Sequence, residues 1–441
     1  MFQLKFIVII FFVLLFMGTV SSDDRVPRLK NDIIHIHDLS RFIGNGQLFV
    51  IFPQKKYVLN VRGTEEKEDF ETRFVSSMAI INASVNTVRN VINDYSHYSE
   101  FMPQNDHSEI LEKTQSHIIA RYSVFVKLPV FKIHANFDLK HQLNDQGDIT
   151  WSLINGKMKA SIGRWEIIPI SNTQTLVINT SWSDHKSIGF LSKMLIKAQP
   201  DLAMAVPIGT TALMLEAVKR RAENKKAFRP QKSDDLPTSP QIPYISTQKI
   251  PTRTINALLK RGRLMLVHPR QWIKSSDKSP LDLVFTSGID LVNSPIERVK
   301  AICTDVTEYP EIFYQVKKVV QRNKIFEKEI DWSLKLWFSF FSFKINLTHN
   351  YFWESDNILT FNREAGDLEY VYGRREWIPL EPQKTLVVFT TAFQGGKSAP
   401  MLLSFINMLP NSQVIGSTSV CSVLMDKHIP WVEKKLAEQK K

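Results

Sequence analysis

Two stretches carry the residues best suited to chemistry: IGRWEIIPISNTQTLV at 162–177 and YGRREWIPLEPQKTLV at 372–387. Arg164 and Glu166 in the first recur as Arg374 and Glu376 in the second. In an extended strand, residues i and i+2 share a face, so each Arg stands beside a Glu on one side of the backbone. A guanidinium placed this way meets an anionic or carbonyl group of a ligand through charge-assisted hydrogen bonds. The alternative is an exposed Arg–Glu pair on a wet face, which contributes little. Tyr98 and Tyr309 form a second repeated pair, readable as ligand contacts or as packing beneath a helix.

Other chemistry is sparse. There is no Gly-x-Ser-x-Gly, and Gly396-Lys397-Ser398 lacks the earlier glycine of a phosphate loop, since Thr391 stands there. His35-Ile36-His37-Asp38 places two imidazoles within metal-ligand spacing, but the second copy has no counterpart, so no metal is expected. His134 and Asn346 occupy matching positions, and Asn cannot replace a catalytic base. No cofactor is expected.

The duplication extends well beyond these stretches, and internal repeats decide architecture. NASVNTVRNVINDYSHYSEFMP (82–103) matches NSPIERVKAICTDVTEYPEIFY (293–314), FKIHANFDLKH (131–141) matches FKINLTHNYFW (343–353), and GQLFVIFP (46–53) matches GRLMLVHP (262–269). The unit is a duplicated domain. Each copy reads as a strand (74–83 or 283–292), an amphipathic helix, an aromatic turn, a run of about six strands, and a long helical stretch (187–224 or 399–436) broken at Pro200 or Pro410. Ser84 and Asn293 or Ser294 are candidate caps for the amphipathic helices. Alternation in FKIHANFDL puts Phe137 and Leu139 on one side and His134 and Asp138 on the other, as in an antiparallel sheet with one wet face. Gly163 and Gly373 suit a bulge or a close backbone approach. The charged, Pro-rich stretch 219–243 reads as a helix end running into an exposed linker.

This order resembles the START-like helix-grip fold. DYSHYSEFMP and DVTEYPEIFY resemble the Asp–aromatic–Tyr-Pro-x-Phe turn of the polyketide cyclase/dehydrase and coenzyme Q-binding superfamily (SRPBCC, Bet v 1-like), and GRWEIIPI resembles its Gly-x-Trp strand. The second copy departs from the pattern with Arg375 in place of the Trp and Val306 in place of an aromatic. The fold class expected is α+β: two tandem helix-grip domains, each a curved antiparallel sheet wrapped around a long C-terminal helix. The division expected is a signal peptide at 1–22, a first domain at 23–225 (core about 75–225), a linker at 226–245, and a second domain at 246–441 (core about 283–438). Segments 24–70 and 245–280 lie outside the usual domain, and GQLFVIFP looks like a strand that extends the sheet.

The resemblance implies an elongated apolar cavity between sheet and helix, suited to a lipid, sterol or hopanoid, isoprenoid quinone or polyketide. The ligand-binding residues it nominates are Arg164, Glu166, Tyr98 and Gly209 in copy one and Arg374, Glu376, Tyr309 and Gly416 in copy two. Small residues of the C-terminal helices, Ala203, Ala205, Gly209, Thr210 and Ala212, then Gly416, Ser417, Ser419 and Ser422, either open the cavity or permit close helix-on-sheet packing.

Composition sets the remaining bounds. The 441 residues are 43% hydrophobic and 23% charged, with 28 Phe and a net charge of +12, which is a globular composition with aromatic interiors. Lys5 followed by the apolar run Phe6–Met17 and small residues to Ser22 reads as a secretory signal, so the expected location is exported, periplasmic or extracellular. Two cysteines, Cys303 and Cys421, are too few for a disulfide scaffold. The partners expected are a hydrophobic small molecule or lipid and, through Lys219–Arg221 with Lys225 and Lys226, peripheral contact with an anionic membrane, with no nucleic acid. The leading function is a non-enzymatic carrier of a hydrophobic ligand. The alternatives are an aromatase/cyclase-like enzyme using Arg164 or Arg374 with a nearby Tyr, and a structural or protein-interaction module with filled cavities.

Overall fold

The computed structural model describes residues 25–127, 132–187, 202–225, 235–246, 248, 250–275, 279–323, 328–338, 341–395 and 412–439. The apolar run of the first 22 residues, Pro200 and Pro410 lie outside them. No helix among the described residues is long and apolar enough to cross a membrane.

Copy one begins with an arm (residues 25–35) and the helix α1 (Ile36–Ile43). Then come β1 (Gln47–Ile51), the hairpin β2 (Lys55–Asn60) and β3 (Lys67–Thr72), and β4 (Val75–Ile81). Helices α2 (Val85–Ile92) and α3 (Tyr98–Phe101) lead into the meander β5 (Asn105–Lys113), β6 (Ile118–Lys127), β7 (Lys132–Leu143), β8 (Ile149–Gly156), β9 (Ser161–Pro169) and β10 (Thr175–Ser183). The long helix α4 (Leu202–Ala222) closes the copy. Copy two repeats the series with α5 (Thr252–Arg261), β11 (Arg263–Val267), the hairpin β12 (Gln271–Lys274) and β13 (Pro280–Leu283), and β14 (Thr286–Val292). It continues with α6 (Ile296–Thr304), α7 (Tyr309–Ile312), β15 (Val316–Asn323), β16 (Lys328–Phe338), β17 (Phe341–Ser355), β18 (Ile358–Gly366), β19 (Leu368–Glu381), β20 (Lys384–Gly395) and α8 (Ser412–Glu438).

Within each copy the first core strand pairs with the last, β4 with β10 and β14 with β20, and the other strands follow as an antiparallel meander. This is the tandem helix-grip architecture. The two sheets are not separate, however. Strand β1 pairs with β4 on one side and with β11 on the other, and β11 pairs with β14, so sixteen strands form one sheet. The strand GQLFVIFP does extend the sheet, and its repeat meets it there. Joining two edges this way satisfies backbone groups that would otherwise template aggregation.

The sheet has two covered faces. On the helix face, α4 and α8 pack on the central strands and on each other, over Phe49, Ile51, Ile208, Ala212, Met265 and Cys421. Small residues here let the helices lie close on the sheet: Ser417 Oγ hydrogen-bonds Thr286 Oγ1 at 2.8 Å, and Ser77 Oγ donates to the Thr211 carbonyl at 3.3 Å. On the opposite face, one apolar core runs through both copies. There Leu48, Val50, Met78, Ile178, Leu264, Leu266, Ile289 and Val388 are covered by Leu29 of the first arm with Leu39 and Phe42 of α1, and by Ile245 of the equivalent arm of copy two (residues 241–246) with Ile255 and Leu258 of α5. On the central strands this face is therefore covered, whereas on the meander strands read as half wet His134, Asn136, Lys344 and Asn346 are exposed as expected.

Several local expectations change with this. Residues 235–245, read as exposed linker, are packed: Leu236 and Ile245 are buried, and Lys274 N donates to the Pro237 carbonyl. Ser84 caps α2 by accepting from Thr87 N at 3.2 Å, but α6 starts at Pro295 with no side-chain cap. Gly163 and Gly373 make room for rings rather than bulges. Each sits directly opposite an aromatic residue, Trp151 and Phe361 respectively. A Cβ at either would lie 2.0 Å from a ring carbon of that neighbour. Cys303 and Cys421 are unpaired buried thiols, pushed by burial up to about 11 and about 12.

Candidate functional site

The repeated Arg-x-Glu motif lies on the arm face, not on the helix face. Along β9, Trp165 and Ile167 join the core beneath α4, and Arg164 and Glu166 point the other way. Glu166 is fully buried and accepts hydrogen bonds from the backbone N–H groups of Leu29 (2.9 Å) and Lys30 (2.7 Å). Burial pushes its carboxyl up, and those two N–H groups pull it back down. Copy two repeats the device. Glu376 accepts from Ile245 N (2.9 Å), Ser246 N (2.8 Å) and Ser246 Oγ (2.5 Å). Arg374 donates to the carbonyls of Ile242 (2.5 Å) and Pro243 (2.9 Å) and pairs with Glu354 at 3.0 Å.

Leu29 and Ile245 are themselves counterparts, at the offset that relates β1 to β11. The residue before each completes the clamp differently. Arg28 reaches Asp148 at 3.0 Å, 3.6 Å from Arg164. Tyr244 stacks on Arg374 with the guanidinium 3.4 Å from the ring centre and donates to Glu354. Arg164, Glu166, Arg374 and Glu376 thus hold the arms onto the sheet. Neither expectation for them stands: they do not face the grip interior, and they are not exposed.

Tyr98 packs beneath α2. It is buried, donates to the Ile92 carbonyl at 2.6 Å and lies against Tyr95, Phe101 and Tyr122. Among the polar rings around it, Tyr122 Oη meets His141 Nε2 at 2.9 Å and Tyr95 donates to Asn93, while His141 Nδ1 has no partner among the described residues. Gly209 is buried in α4. Gly416 faces Phe393, whose ring would lie 3.0 Å from an added Cβ, so it too makes room for an aromatic side chain of the chain itself.

The helix face of copy two is different. Arg375, in the place of Trp165, is 5% exposed, and its described hydrogen bond runs from Nη1 to the Cys303 carbonyl at 2.7 Å. No carboxylate pairs with it among the described residues. Its guanidinium lies between the rings of Tyr309 (5.4 Å) and Phe389 (5.6 Å). Cation–π contacts of this kind contribute about 0.5–2 kcal/mol each, whereas taking an ion out of water costs several kcal/mol. Around it, Arg375 Nε, both nitrogens of His349 and His428 Nε2 have no hydrogen-bond partner among the described residues, and Tyr309 interacts with Arg375 itself. Burial and the nearby Arg375 charge hold His349 at about 4 and His428 at about 3. Arg375, Tyr309, His428, Cys303, Trp377 and Met425 line a cavity of about 10 Å³, roughly room for one water.

Of the residues nominated from the sequence, Tyr309 alone falls in this cluster. Arg375 was visible only as a departure from the Gly-x-Trp pattern, and His349 and His428 carried no motif. The basic stretch expected to touch membranes is largely engaged. Lys219 is buried, Arg221 pairs with Glu100 at 3.1 Å, and Lys225 pairs with Glu223 at 2.6 Å. Lys226 lies outside the described residues.

Residues 81–225 match the protein family described as polyketide cyclase / dehydrase and lipid transport. The motif-based resemblance is matched there: that family's model covers copy one from residue 81 to 225, and copy two repeats the same order of elements. Among curated proteins, the chain is 30% identical over 97 residues to the persistence and stress-resistance toxin PasT of Escherichia coli O6:H1, which is 22% of this chain and 59% of that protein. It is 29% identical over 96 residues to the ribosome association toxin RatA of Vibrio cholerae, 22% of this chain and 64% of that protein. The chain thus spans about three fifths of the length of these relatives.

Among solved structures, it is similar to the di-domain ARO/CYC StfQ of the steffimycin biosynthetic pathway, with 11% identity, 83% of this chain and 98% of that one covered, and a TM-score of 0.27. It is also similar to a STAR-related lipid transfer protein fragment of Xanthomonas axonopodis, with 17% identity, 40% and 98% covered, and a TM-score of 0.28.

Proposed function

We propose that the chain is an exported, non-enzymatic binding or transfer protein for a hydrophobic ligand, a lipid, sterol or hopanoid, or isoprenoid quinone, held between sheet and C-terminal helix. The observation that carries this reading is the interior of copy two. It is an aromatic chamber with a few buried polar atoms that lack partners among the described residues, the composition of a small-molecule site. The family match of copy one, whose description includes lipid transport, supports it. Export rests on the sequence of residues 1–22 alone. Native mass spectrometry of the mature protein, purified without detergent, tests the reading together with lipid analysis of its organic extract. A stoichiometric lipid is expected. A clean apo mass, unchanged after incubation with membrane lipids, would overturn it.

A second reading is favoured by one observation: Arg375 beside Tyr309, away from water, is suited to polarising a bound carbonyl. An aromatase/cyclase-like activity would then use these residues, since Arg164 and Arg374 lie under the arms. Unchanged turnover of a polyketone substrate in Arg375→Gln would remove this reading.

A further inference from the structure

We infer that the interior of the second domain is a binding site for the carboxylate head of an amphipathic acid, with Arg375 as its counter-ion. The inference rests on the hydrophobic-ligand reading and deepens it, naming the ligand's class and the residue that selects it.

The argument starts from charge. Arg375 is buried, permanently protonated and, among the described residues, without a carboxylate. Buried charges are ordinarily paired, as the two other buried arginines among the described residues are. Arg374, the adjacent residue on the opposite face, has Glu354 at 3.0 Å, and buried Arg164 has Asp148 at 3.6 Å. Of these three arginines, Arg375 faces an aromatic chamber, and copy one places Trp165 at the same point. The exchange of Trp for Arg therefore changes what that chamber attracts, while the strand around it is preserved.

The unused hydrogen-bonding groups point the same way. Beside the cavity, Arg375 Nε and His428 Nε2 are buried and lack a hydrogen-bond partner among the described residues, and Tyr309, which interacts with Arg375, has no described acceptor for its hydroxyl proton. Arg375 offers only donors, and Tyr309 donates readily, so an acceptor-rich group completes the set. A carboxylate supplies up to four acceptor sites and neutralises the guanidinium. A neutral hydroxyl satisfies the geometry but leaves the charge uncompensated.

The walls favour an apolar remainder. Tyr351, Phe361 and Phe389 stack in series from the cluster, at 5.2 Å and 5.9 Å between ring centres. The helix wall includes Leu424 and Met425. Met side chains repack easily, and that wall must give, since the cavity holds about one water as it stands.

The test is binding of oleate and of oleyl alcohol to the full mature chain, each below its aggregation threshold, measured by native mass spectrometry and tryptophan fluorescence. Oleate is expected to bind about tenfold or more tighter than the alcohol, as one charge-assisted contact implies. In Arg375→Gln, and in Arg375→Trp, which installs the residue of copy one, the preference should vanish. It should survive in Trp165→Phe. Equal binding of acid and alcohol by the wild type would overturn the inference and leave the hydrophobic-ligand reading standing, and this arm needs no variant to fold. A preference for oleate that persists without Arg375 would likewise overturn it. Binding of neither compound would count against the hydrophobic-ligand reading itself, and the inference would fall with it.

Discussion

Phe49 and Met265 face each other across the β1–β11 junction, and each is the other's counterpart in the duplicated sequence. Leu48 pairs with Leu266 and Val50 with Leu264 on either side, so the register is symmetric about that pair. The two copies are thus related as the halves of an isologous dimer fused through a linker. The junction follows from the extension strands: each adds an edge to its own sheet, and the two edges are self-complementary.

This symmetry makes a prediction about one half alone. A fragment of residues 25–225 exposes the β1 edge and uncovers Leu48 and Val50, which lose Leu258 of α5 as a neighbour. It is expected to pair β1 with β1, Phe49 facing Phe49, and to run as a dimer or larger species in size-exclusion chromatography with light scattering. A soluble monomer at micromolar concentration would contradict the account of the junction.

The arm clamp gives a second prediction. Removing one partner of a buried charge interaction costs about 3–5 kcal/mol, and Glu376 holds two backbone N–H groups and a hydroxyl of the second arm. Glu376→Ala is expected to lower unfolding stability by that order and to open residues 242–246 to proteolysis. Ligand affinity should change little, because the clamp lies on the face away from Arg375. A loss below about 1 kcal/mol in denaturant titration, well under the cost of stripping a buried charge of its partner, would show that the arm is held by other contacts.

Which parts of this were legible beforehand follows from what sequence encodes locally. The duplication and the order of elements were readable because hydrophobic alternation and turn residues recur in both copies. The face on which Arg164 and Glu166 act was not, because it depends on an arm whose two copies share little beyond Pro27 and Pro243. Alternation marks two faces of a strand but not what covers each, and a charged face reads as wet unless a distant segment is known to lie on it. Arg375 was readable as an exception to a pattern. Its meaning required seeing that no carboxylate of the described chain reaches it.

The glycines of the repeated motif support a third prediction. Gly373 lies under the Phe361 ring, and an added Cβ would meet ring carbons at 2.0–2.7 Å. Gly373→Ala must displace that ring from its stack with Tyr351 and Phe389, at a cost of about 1–3 kcal/mol for overpacking. Combined with Phe361→Leu, the glycine substitution should cost clearly less than it does alone, which a double-mutant cycle reads as coupling. Additive effects would mean that the ring and the glycine are independent.

A fourth prediction concerns acid. Burial holds His268 and His349 at about 4 and His141 and His428 at about 3. The unfolded chain protonates these rings near 6.5, so below that pH it binds more protons than the native state. The stability associated with them is fully present above about 6.5 and is lost as pH falls towards 4. Each ring contributes a slope of up to about 1.4 kcal/mol per pH unit. His97 acts in the opposite sense. Its hydrogen bond with Asp94 raises its pKa, so its contribution is present at low pH and is lost as pH rises through its native value. It is exposed to solvent and screened, and the four buried rings outweigh it. The denaturation midpoint should therefore fall steeply between pH 6.5 and 4.5, and His428→Leu should flatten the slope by about a quarter. A midpoint that holds constant over that interval would mean that these rings are hydrated in solution and the interiors are open to water.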